Sequence, residues 1–275
     1  MAIYVQTNVS SLFTQNQLAN TQNAMSTTFR RLSSGYRING AADDAAGLGI
    51  SESMNSQVRS FGVAERNAMD GISMVQTADA AAGQISSLLT RLRELAVQSS
   101  NGALVSNDRV NLETEFTAVS SEIDRIAGVT KFNGISLLSG GASTDFQVGI
   151  FSGGTEKINV NFGGRNLTAN GLGVLSIGST ATSALAALSA LDSAIQILNT
   201  QREAFGAGIN RLQQAVTNLQ TSRTNLSAAL GRIRDVDVAE EAANMTKWQV
   251  LTQAGTSVLA QANQSPQSAL SLLRG

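Results

Sequence analysis

Hydrophobic positions recur with a seven-residue period over much of the chain. Leu191, Leu198, Phe205, Leu212, Leu219, Leu226 and Ile233 follow one another without a miss. A partner series, Leu188, Ile195, Ile209, Val216 and Leu230, runs beside them, with Arg202 and Arg223 as polar exceptions. The spacing predicts one unbroken helix from about Ala181 to Val236, roughly 80 Å long, whose seam must pack on other helices. Earlier, a helical pattern starts after Asp43 and Asp44, which suit a helix start as caps and by the positive end of the dipole. It runs to about Ser100, and its later half is a heptad of Val75, Ala78, Ala82, Ile85, Leu89, Leu92 and Ala96. "SNGALVSND" interrupts it, and a further helix carries Leu112, Phe116, Val119, Ile123 and Ile126. The period then drops to two at Phe146, Val148 and Ile150 and again at Ile158, Val160 and Phe162, with "FSGGTEK" between. This predicts a β-hairpin near 144–163, the only convincing strand pair in the sequence.

The two ends are amphipathic in a different way. Val5, Val9 and Leu12 form one stripe at helical spacing, and Leu18, Met25, Phe29 and Leu32 a second, rotated from the first. At the other end Trp248, Leu251, Gly255, Val258, Leu259 and Ala262 cluster on one face, and Gln249, Gln253, Ser257 and Gln261 take the opposite one. Charge sharpens the contrast: no charged side chain lies between Met1 and Phe29, or between Trp248 and Leu273. A solvent-facing helix normally carries Lys and Glu on its polar face. A buried unpaired charge is expensive, whereas amides and hydroxyls can be satisfied by neighbours. The ends therefore read as assembly elements, buried only when many copies pack together. The expected fold is mainly α: a long antiparallel helical bundle or coiled coil with a small β-hairpin region and paired N- and C-terminal helices. Residues 1–43 and 236–275 form the terminal part, and 44–235 a helical body.

Composition removes most chemistry. Of 275 residues 14% are charged and the formal net charge is −1, so neither a basic surface for nucleic acid nor an acidic tail is indicated. Cysteine and histidine are absent, which takes away thiolate sites and the commonest general base and metal ligand. A single proline, Pro266, favours long helices. No uninterrupted apolar run of roughly 18 residues marks a membrane span. "MAIYVQTNVSSLFTQNQ" lacks the positive and apolar regions of a Sec-type signal, which leaves a cytosolic protein or export by a route that does not cleave. "GLGIS" at Gly47 is a lone G-x-G without a preceding strand. Asp235, Asp237, Glu240 and Glu241 read as a solvated hinge rather than a metal site, and Asp43 with Asp44 as caps rather than a catalytic pair. Asn-x-Ser/Thr sequences at Asn166 and Asn225 carry no weight without a secretory signal. No catalytic, metal or cofactor residue is assigned, and an enzyme is not expected.

Four stretches carry a resemblance. "RLSSGYRINGAADDAAGLGIS" (Arg31 to Ser51), "TRLRELAVQSSNG" (Thr90 to Gly102), "EIDRIAGVTKFNGISLL" (Glu122 to Leu138) and "QAGTSVLAQANQSPQSALSLLR" (Gln253 to Arg274) are similar, in this order, to bacterial flagellins. The resemblance covers nearly everything except about Gly140 to Thr180 and implies a short form with almost no variable central domain. It implies a structural subunit of a helical homopolymer used for swimming, with the terminal helices as an inner coiled-coil layer and the adjoining helices and hairpin as an outer one. It further implies an extracellular location reached through the flagellar secretion system without a cleaved signal peptide. The partners it implies are an export chaperone at the C-terminal segment, the filament cap and the hook–filament junction proteins. They also include Toll-like receptor 5 of animal hosts, with Arg91, Leu95 and Glu115 at the recognised surface. Neither nucleic acid nor membrane is among them. The filament-core residues expected are Val5, Val9, Leu12, Leu18, Met25, Phe29, Trp248, Leu251, Val258, Leu259 and Ala262. Two rival readings remain open at this point: a hook–filament junction protein, which ends a structure instead of propagating it, and a secreted coiled-coil effector.

Overall fold

The computed structural model describes residues 7–140, 143–162 and 166–274, with the side chains of the last helix described as far as Ser265. Helices α1 (Val9–Ser34), α2 (Ala45–Ser99), α3 (Ser106–Val129), α4 (Ala181–Arg234) and α5 (Val238–Arg274) carry most of the chain. Two antiparallel strand pairs lie between α3 and α4: β1 (Lys131–Phe132) with β2 (Ile135–Ser136), and β3 (Ser143–Gln147) with β4 (Lys157–Asn161). The chain divides into two compact units, one of Met1–Ser56 with Asn225–Gly275 and one of Gln57–Thr224. The divisions fall within α2 and α4 themselves.

The second unit holds the large core. Val75, Ala78, Ala82, Ile85, Leu89, Leu92 and Ala96 of α2 are all fully buried, as are Leu191, Leu198, Phe205 and Leu212 of α4. Ion pairs give the register of the two helices: Arg93 meets Asp192 at 2.7 Å, Arg202 meets Asp79 at 2.9 Å, and Arg223 meets Glu65 at 2.7 Å. Residues later in α2 pair with residues earlier in α4, so the helices are antiparallel. Arg202 and Arg223 interrupt the aliphatic series because each reaches a carboxylate on α2. α4 contains a stretch apolar enough on length and composition to cross a bilayer, but its apolar stripe is the one that packs on α2. α3 closes the bundle with Phe116, Ile123 and Ile126.

The β3–β4 hairpin lies against this bundle. Phe162 stacks on Phe205 with ring centroids 5.7 Å apart, and Gln201 donates to the Asn161 carbonyl at 2.8 Å. Two glycines make the approach possible. A Cβ added at Gly71 would lie 3.0 Å from the Phe146 ring, and one at Gly208 would lie 3.3 Å from Val160. The β1–β2 pair was not expected from periodicity, since two-residue strands carry no alternation. Its signal was the dipeptide Asn133-Gly134, whose φ values of 48° and 82° suit a tight two-residue hairpin turn. The connection before α4 is pinned to α3. Ala169 N–H donates to Asp124 at 2.8 Å and Gly178 N–H to Glu113 at 3.0 Å, while Leu167, Leu172 and Ile177 enter the core.

In the first unit, α1 and α5 pack along one another, and short segments next to them are tied by a two-way clasp. Arg37 N–H donates to the Arg234 carbonyl at 2.7 Å and Val236 N–H to the Gly35 carbonyl at 3.0 Å. Tyr36 and Asp235 form a β-bridge, and the Arg234 guanidinium sits 4.6 Å above the Tyr36 ring. Gly35, with φ of 74°, ends α1 in the left-handed conformation that glycine adopts at no steric cost. Asp44 caps α2 through the Gly47 N–H at 2.8 Å, and Asp237 caps α5 through Ala239 at 2.9 Å. Of the acidic group, Asp237 is thus spent on capping and Glu241 on Arg31 at 3.9 Å. Among the described residues no cluster of acidic side chains is suited to a metal.

Candidate assembly surface

α1 and α5 run antiparallel, as two terminal contacts show. Asn8 donates to the Ala262 carbonyl at 2.8 Å, and the Ser11 hydroxyl to Asn263 at 2.7 Å. At the opposite end Arg31 meets Glu241. On α1 the side chains turned inward are Ser11, Thr14, Leu18, Thr21, Met25 and Thr28, spaced alternately by three and four residues. On α5 they are Met245, Trp248, Thr252, Gly255, Leu259 and Ala262 with the same alternation. That is a heptad seam, but one built largely from hydroxyls, glycine and alanine. Small side chains let two helices approach closely. Three of the threonine hydroxyls bond within their own helices, Thr14 to the Ser10 carbonyl, Thr21 to the Gln17 carbonyl and Thr252 to the Trp248 carbonyl, each at 2.8 Å. Burying these three therefore leaves their hydroxyl donors satisfied. At Gly255 a Cβ would come within 3.3 Å of Leu18.

This seam differs from the apolar stripes read in the sequence. Of the expected assembly residues, Leu18, Met25, Trp248, Leu259 and Ala262 line the seam, half-buried. Val9, Leu12, Phe29, Leu251 and Val258 face outward and are exposed. Val5 lies outside the described residues. Phe13, unremarked in the sequence pattern, is the most exposed large apolar side chain of the pair among the described residues, at 72%. The seam follows the heptad of small residues, which rotates the larger apolar side chains onto the outer surface. There they line a groove of about 240 Å³ bounded by Phe13, Gln17, Leu18, Leu251, Gly255 and Val258. The signal that could have located the seam is the three–four spacing of Ser11, Thr14, Thr21 and Thr28, which a hydrophobicity pattern passes over.

A second group of expected site residues lies on α2 and α3. Arg91 donates to Glu115 at 2.6 Å and to Glu94 at 3.1 Å, and all three side chains are about half exposed. The Glu115 carboxylate, followed by Glu94, holds the Arg91 guanidinium above its ordinary pKa. Leu95 is fully buried in the core. It shapes the surface from beneath and presents nothing to solvent.

The chain matches the model of the bacterial flagellin N-terminal helical region over residues 5–143 and that of the C-terminal helical region over residues 188–273. It is 40% identical to the flagellar filament 33 kDa core protein of Treponema phagedenis, over 97% of this chain and 98% of that protein. It is 44% identical to a flagellin of Halalkalibacterium halodurans, over 89% and 90% respectively. Among solved structures, a hook-associated protein of Vibrio parahaemolyticus shares the fold with a TM-score of 0.57 at 13% identity, over 70% of this chain and the whole of that one.

Proposed function

The chain belongs to the bacterial flagellin family and is a structural subunit of the flagellar filament, and we propose that its paired terminal helices are the part buried on polymerisation. One observation carries this reading. The α1–α5 pair already closes its own seam, yet Val9, Leu12, Phe13, Phe29, Val250, Leu251 and Val258 remain exposed on the stretches of these helices, Val9 to Phe29 and Trp248 to Leu273, that carry no charge to keep them solvated. A row of apolar side chains left in water on a neutral helix is stabilised when another copy covers it. In a helical polymer each copy supplies that cover to its neighbours. In this reading 1–43 and 236–275 form the inner layer of the filament and 44–235 the outer one.

Most of the further partners follow from the same surface. An export chaperone has its binding target in the uncharged part of the C-terminal helix, Trp248 to Leu273, which must be shielded before assembly. Filament cap and hook–filament junction proteins meet the same terminal helices at the two ends of the polymer. Export then proceeds through the flagellar secretion system without a cleaved signal peptide. A receptor such as Toll-like receptor 5, approaching the α2–α3 face, would meet the Arg91–Glu115 pair, with Leu95 supporting it from the core. The test of the assembly reading is Val258→Glu, which places a charge on the outer face and away from the seam. An isolated charge withdrawn from water costs several kcal/mol after relaxation, and a helical polymer repeats that cost in every subunit. Seeded polymerisation followed by electron microscopy should yield no filaments from Val258→Glu. Normal filaments would remove the outer face from the assembly surface.

A further inference from the structure

The sequence contains four Asn-Gly steps: Asn39-Gly40, Asn101-Gly102, Asn133-Gly134 and Asn170-Gly171. Such a step can convert itself, because glycine offers no side chain to hinder attack by its own backbone nitrogen on the preceding carboxamide. Whether it does depends on two things: how readily the glycine N–H gives up its proton, and how electrophilic the asparagine Cγ is. The fold treats the four steps differently.

At Asn101, in the turn between α2 and α3, both requirements are met. Arg109 donates through Nη2 to the Asn101 backbone carbonyl at 2.9 Å. That carbonyl belongs to the same peptide group as the Gly102 N–H. A cation bonded to the oxygen of an amide stabilises the charge that develops when its nitrogen is deprotonated, as fixed donors do for other developing anions. The Asn101 side chain is polarised from the other direction, since its Oδ1 accepts from the Ala103 N–H at 3.1 Å. Electron density drawn toward Oδ1 leaves Cγ more open to attack. Gly102 is exposed, its N–H is committed to no acceptor among the described residues, and a Cβ at that position would meet nothing within 4 Å.

The other three steps are restrained. Gly40 N–H donates to the Asp43 carboxylate at 3.2 Å, whose charge opposes formation of an anion beside it. Asn133 and Gly134 are fixed in the turn between two paired strands. Gly171 N–H donates to the Thr168 hydroxyl at 3.2 Å, and its surroundings are crowded by Asn166.

We propose that Asn101 is a site of spontaneous, structure-assisted deamidation, with Arg109 as the positioning residue that activates it. Hydroxide or water removes the Gly102 amide proton, and the nitrogen forms a bond to Asn101 Cγ. The Cγ–Nδ2 bond breaks, Nδ2 takes up a proton, and ammonia leaves a cyclic imide. Water then adds across one of the two imide carbonyls to give aspartate or isoaspartate; nothing is oxidised or reduced. The product adds a negative charge beside Arg109, and the isoaspartate form adds one methylene to the backbone of the α2–α3 turn.

The test is incubation of the full chain at mildly alkaline pH, with peptide mass spectrometry following the amide-to-acid mass gain at each of the four positions. In the folded chain Asn101 should convert first. Arg109→Gln should slow it about tenfold, the factor that roughly 1.4 kcal/mol of transition-state stabilisation supplies, and should leave the rate in the urea-unfolded chain unchanged. That unfolded arm separates loss of activation from loss of the fold, since an unfolded variant would show all four sites converting at similar rates. Gly102→Ala, which the open space accommodates, should suppress the reaction. Conversion of any of the other three sites ahead of Asn101 in the folded chain would overturn the proposal. So would an unchanged folded-state rate in Arg109→Gln.

Discussion

Two glycines of α2 separate local propensity from packing. A methyl added at Gly83 meets nothing within 4 Å, whereas one at Gly71 lies 3.0 Å from Phe146 and 3.2 Å from Leu212. Replacing an interior helical glycine by alanine gains about 1 kcal/mol where space allows, while overpacking a filled core costs about 1–3 kcal/mol. Gly83→Ala should therefore raise the midpoint of urea unfolding and Gly71→Ala should lower it; a shift of the same sign in both would refute the close approach of the β3–β4 hairpin. Leu212 is fully buried, and Leu212→Ala should cost on the order of 2–5 kcal/mol in the same measurement. These core positions were legible because large aliphatic side chains at a seven-residue spacing have no other common explanation. The role of Gly71 was not legible, since a glycine in a helix shows nothing of what stands opposite it.

The elements differ in how much of their stability they carry themselves. α2, α3 and α4 share a core of leucine, isoleucine, valine and phenylalanine. The α1–α5 seam is lined by Ser11, Thr14, Thr21, Thr28, Thr252 and Gly255 among its few larger side chains. At about 25 cal/mol per Å² of apolar surface buried, hydroxyls and glycine contribute little toward the roughly 1–2 kcal/mol per residue that ordering the backbone costs. The terminal pair should open far more often than the body in the free subunit. Brief proteolysis of monomer is expected to remove both ends and leave a fragment of about residues 30–247, while the same protease leaves filaments intact. Equal resistance of ends and body in the monomer would contradict this ranking. The long helices and the larger hairpin were readable from period alone. The β1–β2 pair was too short to show a period, and the α1–α5 seam was hidden because its heptad is written in serine and threonine.

At the scale of the whole molecule, the terminal pair has a seam face and an exposed face, and single charges on each test the duties proposed for them. Leu259 lies in the seam and Val258 on the outer face. Leu259→Glu should damage both the pairing of α1 with α5 and filament growth. Val258→Glu should spare the pair, read by hydrogen exchange of the α1 and α5 amides in fresh monomer, and block growth alone. The same loss of pairing in both variants would show that the seam is misplaced. Uncharged ends pointed from the sequence to burial in an assembly, but which residues face the partner helix and which face outward emerged only from the packing. The central claim is that the outer face is free in the subunit and covered in the filament. The chain has no cysteine, so Val258→Cys introduces a single thiol there, and its rate of reaction with a small maleimide can be compared in monomer and in filament. The account predicts rapid labelling of the monomer and strong protection in the filament; equal labelling in both would contradict it.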